Sequence, residues 1–388
     1  MEKRIKVYYQ DDATPLGTVF VSSLRGKEVY SFAYDETYLA SGYRNLLLDS
    51  EIAWMRGRQY KADPSKPYRF LQDSSPDRWG RNLIRRAAVT KTLSESDFLL
   101  GVSDIARMGA LRYKLDDGTS FLGQSEDIPP YEFINALEDA AFHYEEGESL
   151  SEWKILLCAG SSLGGARPKA CIYGNDGKIY LAKFGHRNDD YDVPSVEYFT
   201  YLLAKEAGLH MAPSKHLKLG HKRSAFLTER FDREQGKRIH YASFMTILGA
   251  EEGDSGSHSF LEIAESITRL SADPRTDLEE LFRRVAFFLI VGNYDDHLRN
   301  HGMVFVNGKW RLSPCFDVNI VPYAAEFALP INGSGPNDLG SLIQDAPFYG
   351  LSTVQAISII DGTIEAVERG RTKYAKQCGL SPDFGEKG

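Results

Sequence analysis

Asp295 and Asn300 stand five positions apart in Asn293-Tyr-Asp-Asp-His-Leu-Arg-Asn300, and a further carboxylate, Asp317, lies downstream in Phe316-Asp317-Val318. A loop aspartate can orient an incoming hydroxyl, while an asparagine oxygen and a second carboxylate are hard donors of the kind that hold magnesium against phosphates. That set suits phosphoryl transfer, which asks mainly for placement and charge neutralisation. An Asp-x-x-x-x-Asn pair alone says little, because chance supplies it in most chains of this length. The residues between narrow the choice. Gly302-Met-Val-Phe-Val306 and Lys309-Trp-Arg-Leu312 read as short strands joined by Asn307-Gly308, the strongest two-residue hairpin signal, and Asp317 follows the return strand. The competing reading is a solvated acidic loop between a core helix and a hairpin.

Other elements must bring such groups to a nucleotide, and their order is that of a protein-kinase active centre. Leu278 to Val291 is an apolar helix candidate leading into the Asp295 loop. Upstream, Ser161-Ser-Leu-Gly-Gly-Ala-Arg-Pro-Lys169 is a Gly-rich turn opening into the strand Ala170-Cys-Ile-Tyr173. A backbone without Cβ can approach phosphate oxygens and offer them N–H groups, which makes Ser162, Gly164, Gly165 and Ala166 candidates for the phosphate loop. Lacking a full Gly-x-Gly-x-x-Gly, the stretch also reads as an ordinary hairpin entry. Gly174-Asn-Asp-Gly177 turns the chain back into Lys178 to Phe184, where alternation puts Lys183 on the Leu181 face. An inward ammonium there needs an anionic partner such as a phosphate; an edge-strand lysine facing solvent is the alternative. Glu197, in a helix candidate over Ser195 to Ala207, suits a pairing with Lys183 and equally suits a first-turn acidic residue. Ser224 to Asp232 reads as a strand that loses apolar character at its end. A kinase links its lobes there, and Glu229 to Phe231 would read the adenine edge, although Phe231 also reads as a core aromatic.

The ordered set Ser162-Leu-Gly-Gly-Ala-Arg-Pro-Lys169, Lys183, Glu229-Arg-Phe-Asp232, Asn293-x-Asp295-x-His297-x-x-Asn300 and Phe316-Asp317-Val318 resembles the HipA family, the bacterial serine/threonine kinases of HipA–HipB toxin–antitoxin modules. The resemblance covers most of the chain, and the front, with Asp73-Ser-Ser-Pro-Asp-Arg-Trp-Gly80, is similar to the family's N-terminal subdomain. It implies an α+β, two-lobed protein-kinase-like fold with an N-terminal β-rich subdomain and a mainly helical C-terminal lobe. It implies ATP and Mg2+ as cofactors, and transfer of the γ-phosphate to a Ser or Thr of a cellular protein, arresting growth. By position it implies Asp295 as catalytic base, Asn300 and Asp317 as metal ligands, Lys183 as the phosphate lysine, and Glu229 and Phe231 as the adenine linker. His297 joins the nucleotide-site residues as a brace of the catalytic loop. Ser162 matches a serine whose autophosphorylation silences the enzyme; a phosphate there adds roughly two negative charges where the nucleotide phosphates bind. Ser161 is the adjacent alternative, and Arg167-Pro168 departs from members carrying Gln- and Glu-type residues, Pro168 removing a backbone donor. The implied partner is a HipB-like helix-turn-helix antitoxin, with DNA reached only through it.

At 388 residues, 42% hydrophobic and 26% charged, the chain is long enough for two or three compact units. The expected divisions are 1–110 for the N-terminal subdomain, 111–232 for a connecting helix and small lobe, and 233–388 for a helical catalytic lobe. A net charge of −8 gives no overall basic footprint for nucleic acid. Arg78, Arg81, Arg85, Arg86 and Lys91 form a local basic face, read as solvated. The absence of an apolar run of signal-peptide or membrane-spanning length predicts a cytoplasmic protein without a membrane partner. Cys158, Cys171, Cys315 and Cys378 lack Cys-x-x-Cys spacing and read as reduced thiols. His297 and His301 lie in a loop entering a strand, a poor setting for zinc. Ile5–Tyr9, Gly17–Val21 and Val29–Tyr34 alternate as a half-exposed antiparallel sheet, and Ser74-Ser75-Pro76-Asp77 reads as the start of a helix through Arg86, with Gly101 to Tyr131 as a connecting region. Two other functions share features of this pattern. A small-molecule kinase uses the same Asp-x-x-x-x-Asn logic, against which Ser162 and the N-terminal sheet weigh. A catalytically idle module within a repressor complex is opposed by the intact Lys183, Asp295, Asn300 and Asp317.

Overall fold

Alternating apolar residues build the front of the chain. Ile5, Val7 and Tyr9 of β1 (Lys3–Tyr9) point one way into a core that also takes Val19 and Val21 of β2 (Gly17–Leu24) and Phe32 and Tyr34 of β3 (Lys27–Tyr34). The register is antiparallel, with Ile5 opposite Val19 and Val19 opposite Phe32. In this computed structural model the described residues are 2–41, 46–88, 92–116, 118, 120–121, 128–146, 155–156, 167–220, 223–321, 326–381 and 383–384. After α1 (Glu36–Ala40) the two-residue β4 (Gln59–Tyr60) closes one edge of the sheet. Then come α2 (Arg69–Asp73), α3 (Arg78–Ala87) and α4 (Glu95–Gly101).

The cap of α3 is Asp77, whose carboxylate accepts the Gly80 N–H at 2.7 Å. Pro76 therefore sits just outside the helix and Ser74 ends the preceding one, a shift from the start expected at Ser74. The basic face of α3 is packed more than the sequence suggested. Arg81 grips Glu95 with two hydrogen bonds, Arg81 and Arg85 lie over the Phe98 ring, and Arg86 lies over Tyr144. Lys91 lies outside the described residues.

The stretch read as a connector contains a fifth strand, β5 (Leu111–Leu115), which pairs with β1 and completes the sheet in the order β4-β3-β2-β1-β5. Then follow α5 (Ile134–Glu146) and the antiparallel hairpin β6 (Lys169–Tyr173) and β7 (Ile179–Phe184), turned by Gly174-Asn-Asp-Gly177 as expected. These elements belong to one compact unit, Met1–Arg187 with Arg230–Ala242 and Phe305–Gly308; the other is Asn188–Glu229, Ser243–Val304 and Lys309–Gly388.

Helices dominate the second unit. α6 (Val193–Glu206) starts with Pro194 in its first turn, and the antiparallel pair β8 (Ser214–Lys218) and β9 (Ser224–Glu229) follows. Next are α7 (Phe244–Leu248), α8 (Phe260–Leu270), opened by a Ser259/Glu262 capping box, and α9 (Pro274–Val291). α9 begins a turn before the expected Leu278, because Asp273 caps Thr276 and Pro274 fills a first-turn position that needs no N–H. The hairpin β10 (Gly302–Val306) and β11 (Lys309–Leu312) has the expected limits, and Asn307 and Gly308 both take positive φ, 51° and 76°, as a type I′ turn requires. α10 (Leu339–Gln344) and the long α11 (Thr353–Cys378) end the fold. Among the described residues no helix is long and apolar enough to cross a membrane, and Cys171, Cys315 and Cys378 are buried free thiols.

Candidate active site

α9 delivers the chain to the Asp295 loop. Eleven of its side chains are buried, among them Leu281, Phe282, Phe287 and Phe288. The helix stops at Gly292, whose φ of 76° is left-handed, and the Gly292 and Asn293 N–H groups both donate to the Phe288 carbonyl. Asn293 is thereby buried directly after the last turn, at 1% exposure. Two residues on, Asp295 is exposed. Asn300 is buried; its N–H donates to the His297 carbonyl at 2.8 Å and its Nδ2 makes a long 3.5 Å contact to the Asp295 carbonyl.

The Asp317 loop is laced to that segment. Asn293 Oδ1 accepts the Asn319 N–H at 3.0 Å, and the Gly292 carbonyl accepts the Val321 N–H at 3.2 Å. Asp295 lies two residues after one anchor and Asp317 two residues before the other, so the pair of bonds fixes the two carboxylate-bearing loops beside each other. Asp317 takes φ 57°, a left-handed conformation that Asp tolerates better than most residues, and Asn319 Nδ2 lies 3.4 Å from its Oδ1.

Behind Asp295, Asp296 turns inward to His301 Nε2 at 2.7 Å, both side chains being almost fully buried. The His301 ring packs edge-on to Phe260, and its carbonyl accepts the Phe244 N–H. The Leu298 N–H reaches Ser255 Oγ at 3.3 Å, which docks the polar 251–259 loop on the Asp295 loop. The approach to Asp317 is held as firmly. Buried Arg284 donates to Glu280 and to the Ser313 carbonyl, and the Cys315 N–H donates to the His210 carbonyl. Burial pushes the Cys315 thiol up to about 12, so it stays protonated.

Among the described residues no cluster of three or more His, Cys, Asp or Glu could hold a metal. The donors at hand are instead the Asn300 amide and the Asp317 carboxylate, and Asn319 Oδ1 is buried with no hydrogen-bond partner among the described residues. Hard, mixed amide and carboxylate oxygens fit magnesium, which binds through few protein ligands and keeps waters.

The remaining candidates lie elsewhere. Lys183 is half-buried on β7, directly across from Lys169 on β6. The Lys169 ammonium is committed to Asp77 in a buried ion pair that also ties the end of the Gly-rich segment to the cap of α3. Phe231 packs on Tyr241 at 5.8 Å, and Glu229 donates its N–H to the Pro213 carbonyl. Between them, Arg230 is wholly buried, clasping Asp232 with two 2.6 Å bonds and reaching the carbonyls of Ala106 and Arg107. Asp232 also accepts from Arg233 and from the Gly109 N–H, and the two guanidinium groups hold its carboxyl far below the usual carboxylate range despite burial. Ser161, Ser162, Gly164, Gly165 and Ala166 lie outside the described residues.

The sequence profile of the HipA-like C-terminal domain matches residues 161–370, more than half of the chain and every candidate residue above. The chain belongs to the HipA-like C-terminal domain family. The HipA of Shewanella oneidensis MR-1, solved with HipB and operator DNA, superimposes with a TM-score of 0.70 at 16% identity, over 96% of this chain and 91% of that one. That likeness establishes the α+β, two-lobed kinase-like fold expected from the sequence. Among curated proteins, "Putative kinase Y4mE" of Sinorhizobium fredii is 28% identical over 175 residues, 40% of this chain and 41% of its own length. A "Putative kinase" of Haemophilus influenzae is 29% identical over 154 residues, 35% of this chain and 45% of its own length. The chain thus matches less than half the length of these curated relatives.

The sequence of this HipA-like chain offered Asn293, Asp77 and Lys169 only as members of motifs and His301 only as a poor zinc ligand, and pointed to neither Asp296 nor Asn319, although these residues hold the loops and the α3 cap. One signal was available: polar residues placed next to a helix end or an apolar strand, where burial is forced and a partner obligatory.

Proposed function

We propose that this chain is an ATP-dependent serine/threonine-protein kinase of the HipA type. Asp295 accepts the proton of a protein Ser or Thr hydroxyl and aims its oxygen at the γ-phosphorus of ATP. Asn300 and Asp317 would hold magnesium, which would supply charge neutralisation of the triphosphate. Lys183 draws the phosphates through its ammonium, and Glu229 and Phe231 line the adenine, with His297 bracing the loop. Ser162, or the adjacent Ser161, is the autophosphorylation site that silences the enzyme by like-charge repulsion of the nucleotide. As a toxin it arrests growth, with a HipB-like helix-turn-helix antitoxin as partner and DNA contacted through that antitoxin. The HipA of Shewanella, solved with HipB and its operator, supports this partner.

The observation that carries the reading is the lacing of the Asp295 and Asp317 loops through Asn293 and Asn319. The test is incubation with γ-labelled ATP and magnesium, without added acceptor. Label on the chain at Ser162 or Ser161, lost on Asp295→Asn, is expected. Undiminished labelling by Asp295→Asn would remove Asp295 as the base. Phosphate appearing only on an added metabolite would make the chain a small-molecule kinase.

A further inference from the structure

We infer that Asn293 is a positioning residue, a clamp that holds the Asp295 and Asp317 loops at the spacing a metal-bound triphosphate requires; this rests on the kinase reading above. Asn293 touches neither of the two carboxylates. Among the described residues its side chain makes one hydrogen bond, accepted by Oδ1 from the Asn319 N–H at 3.0 Å, beside the parallel rung from the Val321 N–H to the Gly292 carbonyl at 3.2 Å. Three features separate a positioning role from ordinary loop packing. The side chain is 1% exposed, so the bond cannot be exchanged for one to solvent. Its Nδ2 is buried with no hydrogen-bond partner among the described residues, and Asn319 Oδ1 is in the same condition. Finally, the clamped Asn319 stands two positions after Asp317, whose φ of 57° already turns the chain there.

The clamp links the two loops but has no part in the fixed ends of either. Gly292 is held by the Phe288 carbonyl and Cys315 by the His210 carbonyl, independently of Asn293. Removing the Asn293 amide should therefore free the Asn319–Val321 segment without melting α9 or the β10–β11 hairpin. Cation binding suffers first, since Asp317 lies on the freed loop. Affinity for nucleotide without magnesium should hardly change.

The test uses the full chain, with Asn293→Ala, Asn293→Asp and Asn319→Ala. Amide hydrogen exchange over residues 317–321 should quicken about tenfold in Asn293→Ala, the equivalent of one lost buried hydrogen bond. It should stay near the parent rate in Asn293→Asp, which keeps the acceptor, and in Asn319→Ala, which keeps the N–H donor. The magnesium concentration that half-saturates thermal stabilisation by a nonhydrolysable ATP analogue should rise by a similar factor in Asn293→Ala, with metal-free analogue affinity within about twofold. Unchanged exchange in Asn293→Ala overturns the clamp, and so does an equal loss of metal-free and metal-bound affinity. If Asn293→Ala does not fold, fast exchange at 317–321 in Asn293→Asp refutes it instead. An unsubstituted chain that ignores every nucleotide defeats the kinase reading, and the exchange result still decides whether Asn293 fixes the loop.

Discussion

Replacing Asp232 should cost the protein more stability than replacing any residue proposed to act on the nucleotide. Its carboxylate is 1% exposed and receives two bonds from Arg230, one from Arg233 and one from the Gly109 N–H, all between 2.6 and 2.7 Å. In Asp232→Ala two arginines remain buried, unable to ionise away and without a counter-charge. Breaking a buried pair by removing one partner costs about 3–5 kcal/mol. A unit of this size gives roughly 2–4 °C per kcal/mol, so the melting temperature should fall by roughly 6–20 °C. Asp232→Asn should lose nearly as much, since it keeps the Gly109 acceptor but leaves the positive charges unneutralised. The sign of the pH dependence follows from the depressed carboxyl pKa. The stabilisation is complete above the unfolded carboxylate value and is lost only as pH falls through the folded one. The gap between parent and Asp232→Asn should therefore stay constant from pH 8 to about 5, one unit above the ordinary Asp value, and narrow only in stronger acid. Differential scanning calorimetry across that range measures it. A melting temperature within about 2 °C of the parent for both variants would mean that water reaches the cluster and screens it, and the account of this motif would be wrong.

Asp317→Ala should abolish the magnesium-dependent part of nucleotide binding, read by isothermal titration at matched magnesium; equal affinity with and without the carboxylate would exclude it as a ligand. Buried His240, whose pKa is drawn down to about 4 by desolvation, should make the fold acid-sensitive. The unfolded chain takes up that proton near pH 6.5 and the folded one only near 4, so stability should drop by about 3 kcal/mol between those values and level off below. His240→Gln should flatten the slope in urea melts. Asp77→Ala, which uncaps α3 and strands the Lys169 ammonium, should destabilise by about 3–5 kcal/mol, and Lys169→Met alongside it should recover part of the loss. A double variant no more stable than Asp77→Ala would show that the cap, and not the charge, is what matters there.

Where a contact is local, the sequence announced it. The β10–β11 hairpin was legible to the residue because Asn307-Gly308 tolerates two left-handed positions and the flanking runs alternate. Asp295, Asn300 and Asp317 stood out only together with the hairpin between them, and their roles on a nucleotide belong to the proposal above. β5 was missed because its partner is β1, far upstream at the start of the chain, and nothing within Leu111–Leu115 says which edge it will join. The bond from Asn319 to Asn293 was invisible for the same reason: each looks like a loop asparagine until the fold buries the acceptor beside the donor. Pro76 misled because it stands just before the Asp77 cap, where a proline in the first helical turn was expected.

The Glu229-Arg-Phe-Asp232 motif shows why a site residue and a fold residue are hard to tell apart by type. Glu229 ends β9, and the chain then turns over Arg230–Arg233, the Arg233 N–H donating to the Arg230 carbonyl at 3.3 Å. Arg230 and Asp232 fall on the inner side, where they clasp each other and the carbonyls of Ala106 and Arg107. Glu229 and Phe231, on the alternate positions, remain half-buried. The charged pair of this motif is then scaffold, and Glu229 and Phe231 are the residues proposed above to meet the adenine. Alanine at 230 or 232 should lower the melting temperature whether or not nucleotide is present. Alanine at 231 should leave the ligand-free melt within about 1 kcal/mol, the range of substitutions that break no buried polar network, and diminish only the stabilisation by ATP. If Phe231→Ala instead unfolds the chain, Phe231 belongs to the scaffold with Arg230 and Asp232.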